Sequence, residues 1–413
     1  MKSTHQFYIS ILTFLCLFLA TGCGSDKKTN TNAFNSSAAR PPETVDTALQ
    51  NRLDAFGKKP RVKGQFAFHV YDLTVDKPVY GLNENLAMSS ASCMKLLSGV
   101  AGLHLLGTDY MYETGVYTLG QVNNGLLQGD VAFRAGLDPQ LQAPDLAKFA
   151  AAVRRRGITK IGGKLYADLT ITEPVESEEH WFPWDLSFSR YGILYKGHAH
   201  AIRELKYAMR AQGITVADSQ VVLANMPKGM HCVYRLLRPI SHVTRRMWKN
   251  SSNTQATAML YTIGHRVNPR ANPVLAGVDY LRGFMRDSLG LKDSALVVHD
   301  GCGLCIHNHL SPRALTTILR FGHRHSPIYE RLYNDLSIAG VDGTIRREMT
   351  GNKTRGKIRA KTGTLSHPYG ISSLAGYCRG SNGHLLAFAI MDTQMSVLDA
   401  RVLQRKLCEA LVE

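Results

Sequence analysis

The stretch that decides how this chain is interpreted is Ser92-Cys93-Met94-Lys95. Two later segments, Ser251-Ser252-Asn253 and Lys361-Thr362-Gly363, complete a set in the order S-x-x-K, S-x-N and K-T-G. The first pattern alone carries little information, because serine and lysine are common and many helices place them three residues apart. Three such segments in this order are much harder to obtain by chance, and they are typical of serine acyl transfer.

The S-x-x-K segment opens a predicted helix that begins at Ser92 and ends near Leu106, where Gly107 is suited to stop it. Lys95 then lies one turn after Ser92 on the same helix face. A serine hydroxyl is a weak nucleophile until a base removes its proton, and burial or a nearby cation turns lysine into such a base. We predict Ser92 as the nucleophile, Lys95 as its base and Lys361 as the second cation. Without the other segments, a capped helix with a solvated lysine would be the better interpretation.

The S-x-N segment lies where apolar periodicity predicts a second helix, over Ser251–Ile263. We predict that Ser251 and Asn253 on this helix form the opposite wall of the site. The Ser251 hydroxyl can pass a proton to the leaving amine, and the Asn253 amide can bind a substrate carbonyl or hold the lysine. Taken alone, this run of Asn, Ser and Thr would be interpreted as a helix cap.

The K-T-G segment has the pattern of an edge strand, with a mere turn as the weaker alternative. On such a strand Lys361, Thr362 and Thr364 are predicted to bind a carboxylate of the substrate. The backbone N–H groups of Ser92 and Thr364 are predicted to form an oxyanion hole. Gly363 is predicted to belong to the substrate site because it lets the substrate backbone approach closely.

Strand patterns at both ends of the chain predict a single sheet. Residues 64–83 read as a hairpin, and Asn382-Gly383 is a strong hairpin signal between two further strands. An amphipathic helix over Val397–Val412 closes the chain. The economical arrangement is one antiparallel sheet built from both termini, with helices on its faces, which is an α+β fold.

The middle of the chain has a different character, with glycines that punctuate short apolar runs. We predict that residues 111–235 form a smaller inserted α/β domain. The catalytic domain is then split into residues 46–110 and 236–413.

The N-terminus has the features of a targeting segment, predicted over residues 1–22. Phe7–Ala20 is apolar but too short for a permanent membrane span. The small residues before Cys23 resemble a bacterial lipoprotein signal, with Cys23 as the lipidated residue; an ordinary cleaved signal peptide is the alternative. Residues 23–45 are predicted to be a flexible tether. Both alternatives predict an exported protein.

The net charge of +17 predicts attraction to anionic envelope polymers and lipid head groups. Nucleic acid would be the expected partner of a cytosolic chain with this charge, but the signal segment argues against it. For any single basic cluster, an ordinary solvated surface is the simpler interpretation.

The 8 cysteines include Cys302 and Cys305, which have the spacing of half a zinc site or of a redox pair. No second C-x-x-C and no histidine pair at ligand spacing accompanies them, so we expect neither a metal nor a cofactor. Small buried thiols are the simpler interpretation. Cys93, directly beside the predicted nucleophile, has no explanation from the sequence.

On these segments the chain resembles the class C low-molecular-mass penicillin-binding proteins, the D-Ala-D-Ala carboxypeptidase/endopeptidase family whose catalytic domain is interrupted by an insert. The resemblance covers most of residues 64–410. Further stretches support it: Gly129-Asp130, Ala135 to Pro139, Ile161 to Asp168, Asp300 to Leu304 with Asn308, and Ala339 to Thr344. It implies a fold like that of penicillin-binding proteins and serine β-lactamases.

The resemblance also implies a function. It predicts an exported serine DD-peptidase that cleaves the D-Ala-D-Ala bond, or D-Ala cross-links, of peptidoglycan stem peptides through an acyl-enzyme on Ser92. β-Lactams would acylate the same serine, and the protein would act on the periplasmic side of the envelope. A catalytically silent cell-wall-binding homologue and a β-lactamase or esterase stay open as alternatives. The interval from Ser92 to Ser251 is short for this family, which implies that one of its usual inserted subdomains is missing or reduced.

Overall fold

The computed structural model describes residues 44–59, 63–178, 181–182, 184–186, 190–367 and 369–413. The predicted signal segment, Cys23 and all but the last two residues of the predicted tether lie outside these residues. Those predictions stay predictions. Within the described ranges, no helix combines the length and the apolar character that a membrane span requires.

The strands of the described chain are β1 (Gln65–Asp72), β2 (Lys77–Leu82), β3 (Met88–Ser89), β4 (Met111–Asn123), β5 (Leu126–Ala135), β6 (Lys160–Ile161), β7 (Leu165–Leu169), β8 (Val221–Leu223), β9 (His231–Pro239), β10 (His309–Leu310), β11 (Ser337–Ile338), β12 (Arg359–Leu365), β13 (Ile371–Arg379) and β14 (Leu385–Thr393).

The α-helices are α1 (Thr47–Lys58), α2 (Met94–Leu106), α3 (Ala143–Arg155), α4 (His198–Ala211), α5 (Ile240–Lys249), α6 (Asn253–Val267), α7 (Pro273–Gly283), α8 (Pro312–Arg324), α9 (Ser326–Asp335) and α10 (Val397–Val412). Short 3-10 turns cover Ala91–Cys93, Asp218–Gln220 and Gly343–Ile345, and a π-helical turn covers Phe284–Ser288.

The main sheet is antiparallel and has the strand order β11-β12-β13-β14-β1-β2. The pairing of β1 with β14, for example Phe68 opposite Ile390, joins the two ends of the described chain. Strands β13 and β14 are buried almost throughout because α8 covers one face of the sheet and α1 and α10 cover the other. The predicted α+β fold, with one antiparallel sheet built from both termini, is confirmed.

A second, mixed sheet occupies the middle of the chain, in the order β8-β7-β5-β4-β9, with β6 beside β5. Strand β4 pairs antiparallel with β5 and β9, whereas β5, β7 and β8 pair in parallel. Helices α3 and α4 pack with this sheet, which gives it the predicted α/β character. It begins at Met111 and ends at Pro239, so β9 continues past residue 235. The division into domains stays a prediction.

Helix α2 is the central helix of the molecule, and its residues from Met94 to Leu103 are all buried. A helix that is apolar on every side must be surrounded by other elements. Gly99 and Gly102 make this possible, because a Cβ at either position would overlap Trp248 or Met259. Helices α5 and α6 therefore pack close to α2.

Candidate active site

Ser92 lies in the 3-10 turn Ala91–Cys93, and α2 follows at once with Lys95 in its first turn. Helix α2 ends at Leu106 with Gly107 as the C-terminal cap, in a positive-φ conformation that glycine tolerates. The predicted helix and its capping residue are confirmed.

The backbone directly before the nucleophile is strained. Ala91 has φ of 43°, in the left-handed region that costs a residue with a side chain about 1–2 kcal/mol. Two neighbours hold the turn in place: Ser373 Oγ donates to the Ser90 carbonyl at 2.7 Å, and Gly303 lies so close that a Cβ there would overlap Ala91 O. Strain of this kind persists only where the surroundings enforce it.

Lys95 is fully buried, and its Nζ contacts three oxygens. It lies 2.8 Å from Ser92 Oγ, 2.7 Å from Asn253 Oδ1 and 2.5 Å from the carbonyl of Cys302. Burial lowers the pKa of Lys95 below its ordinary value and outweighs the opposing effects of Cys302 and Asp300. The neutral amine that a general base requires is therefore favoured within hydrogen-bond reach of the serine.

Lys361 is the second fully buried lysine, on β12. Its Nζ donates to Ser251 Oγ at 2.8 Å and to the carbonyl of Thr362 at 2.6 Å. Burial first, and then the charge of Lys95, lower the pKa of Lys361 to about 7. Because the repulsion between two cations is mutual, the doubly protonated pair is disfavoured.

Ser251 is not on a helix, and the prediction that the helix begins with it was wrong. Its φ of 57° is left-handed, which no residue inside a right-handed helix adopts. Helix α6 begins at Asn253, and Ser252 is its N-cap, with a side chain that accepts from Gln255 N. The helix-cap interpretation is therefore right for Ser252. Its neighbours contact the buried lysines: Asn253 contacts Lys95, and Ser251 contacts Lys361.

Strand β12 offers a free edge beside the nucleophile. It pairs with β11 only at Arg359 and Ala360, so from Lys361 onward no described strand pairs with its outer edge. Half-buried Thr362 and exposed Thr364 on this edge line a cleft of about 330 Å³ together with Ser92 and Ser251. This geometry matches the predicted edge strand.

Gly363 has a reason for lacking a side chain that the sequence did not show. A Cβ at this position would overlap Ser373 Oγ and would lie 2.6 Å from the carbonyl of Ser90. The glycine lets β12 pack against the nucleophile turn. Close approach of the substrate backbone, and with it a role for Gly363 in binding substrate, stays a prediction.

Cys93 is explained by the same packing. It is fully buried, and its Sγ donates to the carbonyl of Lys361 at 3.3 Å. Burial raises the pKa of this thiol, which keeps it protonated as a weak donor. Cys93 thus ties the nucleophile turn to β12.

Asp300 is a structural centre that the sequence analysis did not identify. Its buried carboxylate accepts from the backbone N–H groups of Cys302, Gly303 and Cys305. Asn308 Nδ2 and Trp181 Nε1 donate to it at 2.9 Å and 2.8 Å.

The Cys-x-x-Cys segment wraps around this carboxylate, which fixes the carbonyl of Cys302 against Lys95. Both thiols are free and buried. In the described part of the chain, no three His, Cys, Asp or Glu residues are grouped so that they could hold a metal ion.

Thr344 was also missed as a site residue, although Asp342-Gly343-Thr344 had been noted. Its Oγ1 lies 2.9 Å from Thr362 Oγ1, and both threonines line the cleft. Lys249 Nζ binds Asp342 at 2.8 Å and thereby holds this loop. The sequence feature that could have indicated this loop is Gly343. Its φ of 62° favours glycine, and a Cβ there would overlap Ser337 Oγ.

A sequence profile of the D-Ala-D-Ala carboxypeptidase 3 (S13) family matches residues 49–191 and 194–411. The chain belongs to this family. The match includes every strand of both sheets, and the S13 family confirms the enzyme class predicted from the sequence.

Curated relatives agree with S13 membership. The chain is 22% identical over 391 residues to D-alanyl-D-alanine carboxypeptidase DacB of Haemophilus influenzae, covering 74% of this chain and 80% of that protein. It is 23% identical over 446 residues to D-alanyl-D-alanine carboxypeptidase of Actinomadura sp. strain R39, covering 84% and 81%.

Solved structures share the fold. Penicillin binding protein 4 (dacB) of H. influenzae superposes with a TM-score of 0.71 at 19% identity, covering 86% of this chain and 97% of that chain. The same protein has been solved in complex with a novel β-lactam, and that structure matches with a TM-score of 0.67 at 20% identity, covering 86% and 98%. A predatory endopeptidase of Bdellovibrio bacteriovorus, in complex with an immunity protein, matches with a TM-score of 0.56 at 17% identity, covering 84% and 94%.

Proposed function

We propose that this S13 family protein is a serine DD-peptidase that hydrolyses the D-Ala-D-Ala bond, or D-Ala cross-links, of peptidoglycan stem peptides. The observation that carries the proposal is the contact of buried Lys95 with Ser92, Nζ to Oγ, at 2.8 Å. A buried lysine with a lowered pKa, in contact with the serine hydroxyl, is suited to take the serine proton.

In the acylation step, Ser92 Oγ forms a bond to the carbonyl carbon of the penultimate D-Ala, and its proton passes to neutral Lys95. The negative charge on the carbonyl oxygen is stabilised by the backbone N–H groups of Ser92 and Thr364, an interaction typically worth about 3–4 kcal/mol. The terminal carboxylate of the substrate binds Thr362, Thr364 and the neighbouring Thr344, close to the positive charge of Lys361 when it is protonated.

When the C–N bond breaks, the leaving amine takes up a proton. Protonated Lys95 supplies this proton through Ser251 and becomes neutral again. The Ser251 side chain lines the cleft beside Ser92, and its Oγ is held 2.8 Å from Lys361 Nζ. Asn253 keeps Lys95 in position. Water then attacks the ester of Ser92, with Lys95 as base, and the shortened stem peptide is released.

The substrate places the protein in the cell envelope. We infer that it acts on the periplasmic side and is held to the membrane by a lipid on Cys23. The same proposal divides the chain into a catalytic domain of residues 46–110 and 236–413 and an inserted domain of residues 111–235. β-Lactams are expected to acylate Ser92, since a β-lactam binds the similar H. influenzae protein.

The test compares wild type, Ser92→Ala and Ser252→Ala, purified as full chains in detergent. Ser252 belongs to the same motif but caps α6 and contacts neither lysine, so Ser252→Ala is the matched control. We expect fluorescent penicillin to label wild type and the control but not Ser92→Ala, and D-Ala to be released from a pentapeptide stem by the same two proteins. Labelling without any release of D-Ala or cleavage of cross-links would indicate a silent binding protein. Rapid loss of the penicillin adduct would indicate a β-lactamase.

A further inference from the structure

The cleft that contains Ser92 does not end at the threonines of β12. It continues between the main sheet and helix α10, where Glu348, Arg401 and Arg405 line it. The whole cleft, including this extension, has a volume of about 330 Å³.

A continuous set of neighbours leads from β12 to the two arginines. Thr364 lies opposite Ser372 in the pairing of β12 with β13. Gln404 Nε2 donates to Ser372 Oγ at 2.9 Å, which brings α10 against this point of the sheet. Arg401 precedes Gln404 by three residues and Arg405 follows Arg401 by four, so all three share a region of the helix surface.

The two guanidinium groups have spare binding capacity. Glu348 approaches Arg401 at 3.6 Å and Arg405 at 4.0 Å, and it is the only carboxylate within ion-pair distance of either in the described chain. Neither guanidinium donates a hydrogen bond to another described residue, and each arginine side chain is 43% exposed. Two arginines paired with one glutamate leave an excess positive charge. The planar guanidinium group has N–H donors spaced to bind both oxygens of a carboxylate.

We infer that Arg401 and Arg405 bind a second carboxylate of the leaving group, and that the preferred leaving group is therefore a cross-linked stem peptide rather than free D-alanine. This inference rests on the proposed function. The first carboxylate, next to the amide that is cleaved, binds Thr344, Thr362 and Thr364. A free D-alanine has only that carboxylate, whereas a second stem peptide carries a further one at its own C-terminus. Met349 and Ile345, which line the same extension, are suited to its aliphatic part.

The first arm of the test uses the wild-type full chain and needs no mutation. Values of kcat/KM are measured for a pentapeptide stem, for a cross-linked dimer, and for the same dimer with the acceptor's terminal carboxylate amidated. We expect amidation to lower kcat/KM on the dimer by about tenfold or more, the effect of a lost charged hydrogen bond. Equal values for the free and amidated dimers would overturn the inference.

The second arm measures the ratio of kcat/KM on the dimer to that on the pentapeptide in three proteins. We expect the ratio to fall about tenfold in Arg401→Gln/Arg405→Gln and to stay at the wild-type value in Lys406→Gln. Lys406 is exposed on the same helix but does not line the cleft, so its substitution is the matched control for charge. An unchanged ratio in the double variant would show that the arginines only fix Glu348. If wild type cleaves neither substrate, the proposed function itself fails, which is a different result.

Discussion

Lys361 Nζ lies 2.8 Å from Ser251 Oγ, so a buried cation on an edge strand holds a serine whose own backbone is left-handed. This contact joins the K-T-G and S-x-N segments of the sequence. Because both groups are held by backbone that is already fixed in the fold, the contact that the proposed proton relay uses is formed without substrate.

The buried charge of Lys361 is expected to cost stability. Its folded pKa of about 7 lies below the ordinary value of 10.5, so between these two pH values the unfolded chain binds a proton that the folded chain does not. Stability therefore rises with pH across this interval, and the penalty is fully present below it. We predict that Lys361→Met raises the free energy of unfolding by about 1–4 kcal/mol near pH 6.

The gain in unfolding free energy of Lys361→Met is expected to shrink toward about pH 10, because Lys361 in the folded wild type is then neutral and its burial costs less. Urea unfolding of both proteins at the two pH values measures it. Penicillin labelling is expected to be lost in the same variant, because the proposed carboxylate site loses its positive charge. A variant that is less stable than wild type near pH 6 would contradict the prediction.

Lys95 is predicted to be required for acylation but not for folding. Lys95→Met keeps the length of the side chain and removes the base, and we expect the rate of acylation by a fluorescent penicillin to fall about 10²–10⁴-fold. In wild type the rate is expected to rise with pH as Lys95 loses its proton, with a midpoint below the ordinary lysine pKa, because burial lowers it. Lys353→Met, which alters an exposed lysine, is the control. Equal rates in Lys95→Met and wild type would exclude Lys95 as the base.

Asp300 is predicted to support catalysis through the Cys302 carbonyl. In Asp300→Asn the new NH2 group cannot accept the N–H donors now bound to that oxygen, so we expect a loss of about 1–3 kcal/mol in unfolding free energy. Acylation is expected to slow as well, because the carbonyl that contacts Lys95 is released. Trp181→Phe removes one of the same donors and is expected to have a smaller effect on acylation. If Asp300→Asn unfolds at a lower temperature but is acylated at the wild-type rate, the Cys302–Cys305 segment has no role in positioning Lys95.

Gly303 is predicted to tolerate no side chain. Gly303 has φ of 79°, and a Cβ there would lie 1.9 Å from Ala91 O, so Gly303→Ala must displace the nucleophile turn. We expect a loss of about 1–3 kcal/mol in unfolding free energy together with most of the penicillin labelling. Gly351→Ala is the matched control, since nothing lies within 4 Å of a Cβ there. Thermal melting and labelling stoichiometry measure both effects. Normal labelling in Gly303→Ala would contradict the close packing of Gly303 against Ala91.

Much of the fold could be predicted from local sequence patterns. The hairpin at Asn382-Gly383, the helix that Gly107 ends and the closing helix over Val397–Val412 depend on turn residues and apolar periodicity within a few positions. These features set element types and approximate limits. The start of α6 was misjudged because two adjacent serines offer equivalent caps, and only the backbone angles separate Ser251 from Ser252.

The site could be predicted as a set of residue types, since S-x-x-K, S-x-N and K-T-G name the groups that serine acyl transfer requires. The sequence by itself therefore determined the family, the α+β fold and the expected nucleophile. Only the tertiary structure decided why Gly363 is a glycine, what Cys93 contacts and how Asp300 holds Cys302 against Lys95. The reason is physical: a motif specifies which groups are present, whereas the burial that lowers a lysine pKa comes from residues far apart in the chain.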